Sequence, residues 1–193
     1  MHINPHMKNF VLKFLSENLP EHLCFHNIDH TLYVVEKVIE IGQNENCTER
    51  EIELLSVAAL WHDTGYTITY AGHEQEGCIL ARRYLPEYGY DLASVDIICS
   101  LIMATKIPQS PQNKLEEIIA DADLEYLGTE TAASKAHQLY LELQTLNPEL
   151  TESGWNKMQI SFIKQHRYFS NYCKANNEKI KQNYLDQLIS KTD

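Results

Sequence analysis

TEREIELLSVAALWHDTGY, running from Thr48 to Tyr66, is the stretch on which the reading of this chain turns. Thr48 with Glu51 three residues on has the pattern of a capping box, so a helix starts there. Behind it Ile52, Leu55, Val57, Ala58, Ala59 and Leu60 leave almost no polar face. A helix apolar almost all round has no side to show to water and belongs in a core. His62 and Asp63 close this helix, the most hydrophobic of the chain, and Thr64-Gly65 follow. An imidazole and a carboxylate side by side at the end of a core helix are expensive to bury unless something compensates them.

Outward from this segment the pattern stays helical. Phe10, Val11, Phe14 and Leu15 mark an opening amphipathic helix stopped near Pro20, and Leu32, Val34, Val35, Val38, Ile39 and Ile41 carry a second apolar face to Gly42. Gly72 precedes a helix reaching Tyr84, ended by Pro86 and Gly89; Leu92 to Met103 gives another, ended before Pro108. Leu115 to Ala122 starts a further helix with Gly128 as an irregularity or cap, and Thr131–Leu146 with Gly154 to about Leu188 supply the last two or three. Only 7 Gly and 6 Pro punctuate the chain, too few for a β-sandwich. The expected fold is all-α, a single helical-bundle domain over residues 1–193, with a motif core at about 22–130 and C-terminal helices, about 131–193, packed on it.

Composition removes several classes. The 193 residues carry 16 basic and 27 acidic side chains, a net charge of −11, with no basic run longer than Arg82-Arg83. That lacks the electrostatic footprint of polymeric nucleic-acid binding. The longest apolar stretch, about Ile97 to Ala104, is too short for a bilayer, and MHINPHMKNFVLKF does not read as a secretory signal, so a cytoplasmic location away from membranes is expected. Five scattered cysteines with no CxxC pair argue against a disulfide framework and a thiolate zinc site, and read as reduced thiols.

Chemistry gathers in the histidines and one set of carboxylates. His26 and His30 are spaced to share a helix face, and Asp121-Ala122-Asp123 follows Leu115, Ile118 and Ile119 as a second set of carboxylates at the end of an apolar segment. Imidazole and carboxylate groups from separate helices, with no cysteine, suit a divalent cation in an open catalytic site.

These segments resemble the HD superfamily of metal-dependent phosphohydrolases, helical bundles whose signature is a His, a His-Asp pair and a distant Asp. The resemblance lies in FHNIDHTLYVVEKV, AALWHDTGY and IIADADLEYLG. Carried over, it makes His30, His62, Asp63 and Asp121 the metal ligands. Two helical steps turn Asp123 about 200° from Asp121, so only one of the two faces the ion, and the resemblance assigns Asp121. The HNxxH segment is similar to that of cyclic-nucleotide phosphodiesterases, whose first histidine is a general acid; here that is His26. His73, in AGHEQEG, falls where many HD proteins have a histidine serving a second metal or the phosphate. The stretch SLIMATKIPQSP lacks the extra histidines of two-metal HD proteins, which favours one tightly held ion over a histidine-rich di-iron site, with a second, water-rich ion bridged by Asp63 left open. Lys106 and Arg82 are candidates for a substrate phosphate, and Tyr168, in a C-terminal segment with Trp155, Lys157 and His166, is a weaker one.

The implied activity is hydrolysis of a small phosphoester or nucleotide by metal-activated water, the cofactor being Mn, Fe, Co, Ni, Zn or Mg, with Asp63 at the reaction and His26 as proton donor. The alternative is a nucleotide-binding sensor or regulatory module without turnover. Alarmone hydrolysis fits less well, because HDTGY lacks the Glu-Asp that follows His-Asp in that family. A small phosphorylated molecule or nucleotide is the expected partner, with a homodimer left open.

Overall fold

The computed structural model describes residues 3–191 and is helical throughout, with no strand among the described residues. Six helices build the first layer: α1 (Pro5–Asn18), α2 (Ile28–Asn44), α3 (Glu49–Trp61), α4 (His73–Tyr84), α5 (Leu92–Ala104) and α6 (Lys114–Leu124). Four more follow: α7 (Ala132–Leu146), α8 (Glu152–Gln165), α9 (Asn171–Asn176) and α10 (Glu178–Ser190). The all-α expectation is borne out. None of these helices is long and apolar enough to cross a membrane.

The capping box reads as its sequence says: Glu51 N–H donates to Thr48 Oγ1 at 3.2 Å and Thr48 N–H to the Glu51 carboxylate at 2.7 Å. Residues Leu55 and Val57 to Trp61 are wholly buried, so α3 runs through the middle of the first apolar cluster, against α2 on one side and α5 on another. A second cluster joins α7, α8 and α10 to the 3₁₀ turn Glu125–Gly128 that continues α6, with Phe25, Leu127, Ala136, Trp155 and Leu185 among its members.

Gly65 sets how α4 approaches the end of α3. A Cβ placed on it would lie 1.9 Å from the carbonyl oxygen of His73. Only a residue without a side chain lets the turn after His62-Asp63 sit directly on the start of α4. Gly72 supplies the left-handed residue ahead of α4, with φ of +81°.

Two boundaries differ from expectation. Helix α2 begins at Ile28, where the Asn27 side chain accepts the His30 N–H, and passes through Gly42 to Asn44; a Cβ placed on Gly42 would meet Ile52 and Leu55 at 3.5 Å, ordinary contact, so no special backbone marks a stop there. The C-terminal segment is broken into α8, α9 and α10, although no Gly or Pro lies between Gln165 and Asn177. The break is bought from outside the segment: Asp121 accepts Phe169 N–H at 2.9 Å, Ser170 N–H at 2.8 Å and Ser170 Oγ–H at 2.6 Å. Glu125, at the other end of the same turn, accepts the Asn177 amide at 2.7 Å and the Tyr33 hydroxyl. The five cysteines are free thiols, Cys99 and Cys173 buried and the other three partly so.

Candidate metal centre

Three backbone positions bring the centre together. His30 lies in the first turn of α2, His62 and Asp63 just beyond α3, and Asp123 in the last turn of α6. One ligand atom each from His30, His62 and Asp123 falls within 4.8 Å of the others. His30 Nε2 is 3.0 Å from Asp123 Oδ1 and 3.5 Å from Asp63 Oδ2; His62 Nε2 is 3.1 Å from Asp63 Oδ2 and 3.5 Å from Asp123 Oδ1.

The tautomer of His62 is fixed by the end of its own helix. Its Nδ1 faces the Ala59 carbonyl at 2.7 Å, a position only an N–H can take, so Nε2 of the neutral ring carries the lone pair. That lone pair points at carboxylate oxygens. His62 Nε2 and Asp63 Oδ2 are both buried and neither makes an aligned hydrogen bond. Burial alone would pull His62 down and push Asp63 and Asp123 up, but mutual proximity wins: His62 lies well above its ordinary range and both carboxyls below theirs, so these carboxylates favour positive charge at Nε2, a proton there or a cation that would take its place. Nitrogen and carboxylate donors around buried, unpartnered lone pairs fit a divalent cation, and no thiolate is near to favour a closed structural site.

The expected last ligand is corrected by this geometry. Asp121 does not face the histidines. It is fully buried on the opposite side of α6, its oxygens taken by the Phe169 and Ser170 groups, and burial raises its pKa despite those bonds. Asp123 stands in its place. The two aspartates do face opposite ways, and which of them meets the centre depends on how α6 is rolled against its neighbours.

Around the cluster, Asp63 turns its second oxygen outward: Oδ1 is 3.8 Å from His73 Nε2, whose Nδ1 donates to the Tyr70 carbonyl at 3.1 Å. The rings of His73 and His26 both stack on Tyr66, with centroids 3.8 and 4.4 Å away. His26 Nδ1 lies 2.5 Å from Glu142 Oε1, while the backbone N–H groups of Phe25 and His26 donate to Glu142 Oε2 at 2.9 and 3.1 Å. Tyr70 donates its hydroxyl to the same carboxylate at 3.0 Å. Burial works to lower the His26 pKa, but Glu142 and the nearby aspartates carry it above the ordinary histidine value. Glu142, wholly buried on α7, is the only acid of that helix, but nothing in the sequence around it points to His26 as its partner.

Three other candidates lie elsewhere. Arg82 is half exposed and paired with Asp96 on α5 at 2.5 Å. Lys106 is exposed just past the end of α5, and no contact draws it to the carboxylates. Tyr168 is buried as a packing post, its hydroxyl donating to the carbonyls of Leu124 and Glu125 at 3.4 and 3.2 Å with the Lys181 ammonium 4.8 Å from its ring. A cavity of about 320 Å³ opens beside His26, Tyr66, Tyr70 and Asp123.

The family model of the HD domain matches residues 27–125, a span that holds His30, His62, Asp63 and Asp123. The chain belongs to the HD-domain family. Among solved structures it is similar to a predicted HD superfamily hydrolase from an uncultured Thermotogales bacterium, at 23% identity and a TM-score of 0.57, covering 83% of this chain and 91% of that one. It is also similar to a protein of Lactobacillus plantarum, at 13% identity and a TM-score of 0.66, covering 98% of each chain. No curated protein sequence matches it.

Proposed function

We propose that this protein is a metal-dependent phosphohydrolase that cleaves a small phosphate ester with water. The observation that carries this reading is the pair of buried, unpartnered lone pairs, His62 Nε2 and Asp63 Oδ2, facing His30 and Asp123. These four side chains would hold the ion. A divalent cation there supplies Lewis acidity, making water nucleophilic near neutral pH and drawing charge from a phosphoryl oxygen.

The chain's own residues supply the rest. His26 is held by Glu142 through Nδ1, which leaves Nε2 for the reaction in a ring that lines the cavity. When the bond from water oxygen to phosphorus forms and the ester P–O bond breaks, the departing oxygen takes the Nε2 proton of His26. Glu142 is a positioning residue: it fixes the ring, through the backbone of Phe25 and His26 as well, and keeps the imidazole protonated. His73 faces the outer oxygen of Asp63, where it can orient a phosphoryl group or share a second ion.

The test is elemental analysis of purified protein, followed by a phosphoester panel with Mn²⁺, Mg²⁺, Fe²⁺, Co²⁺, Ni²⁺ or Zn²⁺. About one ion per chain, lost in His62→Ala, and turnover lowered about 10²–10⁴-fold in His26→Ala with the ion retained, is the expected result. Binding of a nucleotide with no hydrolysis of any ester would overturn the enzyme reading in favour of a sensor.

A further inference from the structure

The cavity beside the centre has a chemistry of its own. Its floor and walls away from His26 and Asp123 come mostly from α7 and α8, with Leu139, Leu143, Trp155, Met158 and Phe162 lining it, and in part from Leu124, Tyr126 and Leu127 at the end of α6. No lysine or arginine lines it among the described residues. The one amide on these walls, Gln159, is already engaged: its Oε1 accepts the Tyr184 hydroxyl at 2.8 Å and its Nε2 donates to Asn156 at 3.3 Å. Met158 and Ile107 line the cavity while remaining about half exposed, at 52% and 53%, so it opens to solvent on their side.

We propose that the group esterified to phosphate is an uncharged apolar body, an alkyl or aryl residue, which occupies this cavity while the phosphate meets the His30–His62–Asp63–Asp123 cluster. The proposal rests on the phosphohydrolase reading and narrows it. A polyphosphate or sugar-phosphate tail would enter walls that offer no lysine or arginine and would meet the Asp123 carboxylate at the polar end. A nucleobase would present several edge donors and acceptors to a lining that, apart from the phenols of Tyr66, Tyr126 and the Glu142-bound Tyr70, offers Leu, Trp, Met and Phe side chains, leaving most of them unpaired on burial. An apolar body loses nothing there and gains the transfer of its surface out of water. The volume of about 320 Å³ equals roughly ten water-sized groups, which sets the length of chain it can take.

Two measurements separate this proposal from the reading beneath it. The first is kcat/KM of the metal-loaded protein on n-alkyl phosphates from methyl to decyl, below their micellar concentrations; the second is calorimetric binding of the alcohols 1-butanol, 1-hexanol and 1-octanol, without phosphorus, to protein kept in chelator. Each added methylene should raise both quantities about fourfold until the cavity is full. Met158→Glu, at a half-exposed position that tolerates a charge, and Leu139→Trp, which fills the space, should flatten both series. Hydrolysis that is indifferent to chain length would overturn the proposal and leave the hydrolase standing, as would slopes unchanged in both variants. Alcohol binding that follows chain length, with no ester hydrolysed, would instead remove the phosphohydrolase reading and keep the apolar occupant. Neither binding nor hydrolysis would overturn both.

Discussion

Replacing each aspartate of α6 by asparagine tests the assignment of the centre, because the two carboxylates lie on opposite sides of one helix and should fail in different ways. Asp121 accepts from three donors, Phe169 N–H, Ser170 N–H and Ser170 Oγ–H. With its carbonyl in the place of Oδ2, asparagine keeps both Ser170 donors, now on a neutral acceptor, and turns its amide toward Phe169 N–H, so about one bond to a charged group is lost and two are weakened, roughly 3–5 kcal/mol in all. Against that, Asp121→Asn removes a charge whose burial already pushes the carboxyl up, which offsets part of the loss. The net cost is about 2–3 kcal/mol, a drop in Tm of about 5–10 °C for a chain of this length. Asp123→Asn takes no such cap away. It removes a charge from His30 and His62, and should lower ion affinity about 10²-fold or more while Tm in chelator stays close to wild type. The assay is elemental analysis after dialysis against defined free metal, with thermal unfolding in EDTA run in parallel. If Asp121→Asn lost the ion with an unchanged Tm while Asp123→Asn kept it, Asp123 would not be the carboxylate that faces the ion.

Glu142→Gln should move the fall in kcat on the alkaline side to lower pH: the raised His26 pKa keeps its proton available above the ordinary histidine value, and losing Glu142 removes the largest cause of that rise, so a pH–rate profile reads the shift directly. The same pair gives a stability effect of fixed sign, since a histidine with a raised folded pKa contributes stability in full below its unfolded pKa and loses it as pH rises through the folded one; in urea unfolding the gap between wild type and Glu142→Gln should narrow at alkaline pH to what the Phe25, His26 backbone and Tyr70 bonds leave. Gly65→Ala drives a methyl into the His73 carbonyl and should cost about 3 kcal/mol or more by denaturant unfolding, with metal affinity falling as α4 is pushed back from Asp63. Tyr168→Phe should lower stability by about 1 kcal/mol through its lost bonds to Leu124 and Glu125 and leave KM for a phosphoester as it was, a result that a substrate-binding tyrosine would not give.

What could be read from sequence was what local chemistry decides. Thr48 and Glu51 cap a helix within one turn of each other, and the apolar run to Trp61 has only one stable place, so α3 and the His62-Asp63 pair at its end were legible before any coordinate. The failures share one physical cause, partners far apart in the chain. The choice between Asp121 and Asp123 turned on two backbone amides 48 and 49 residues away. Glu142 meets His26 across a separation of 116 residues, and no short-range pattern announces it. Arg82 and Tyr168 were drawn toward the centre by their neighbours in sequence, His73 for one and His166 for the other, but helix rotation sends Arg82 to Asp96 and burial commits Tyr168 to carbonyl groups.

The two-faced end of α6 bears on where this domain can be cut. The family match stops at residue 125, yet Asp121 takes its donors from Phe169 and Ser170, and Glu125 takes one from Asn177. His26, from the matched region's edge, is held by a glutamate of α7. A fragment trimmed to the matched span would keep every ligand of the centre but strand the Asp121 carboxylate without its donors and leave Glu125 with Tyr33 and Lys37 alone. Residues 27–125 alone should therefore unfold at lower temperature than the full chain, as thermal unfolding of the two would read. Amide exchange in α6 and in the segment 166–177 should slow and quicken together, and occupancy of the ion site should protect residues of the C-terminal third that never approach it.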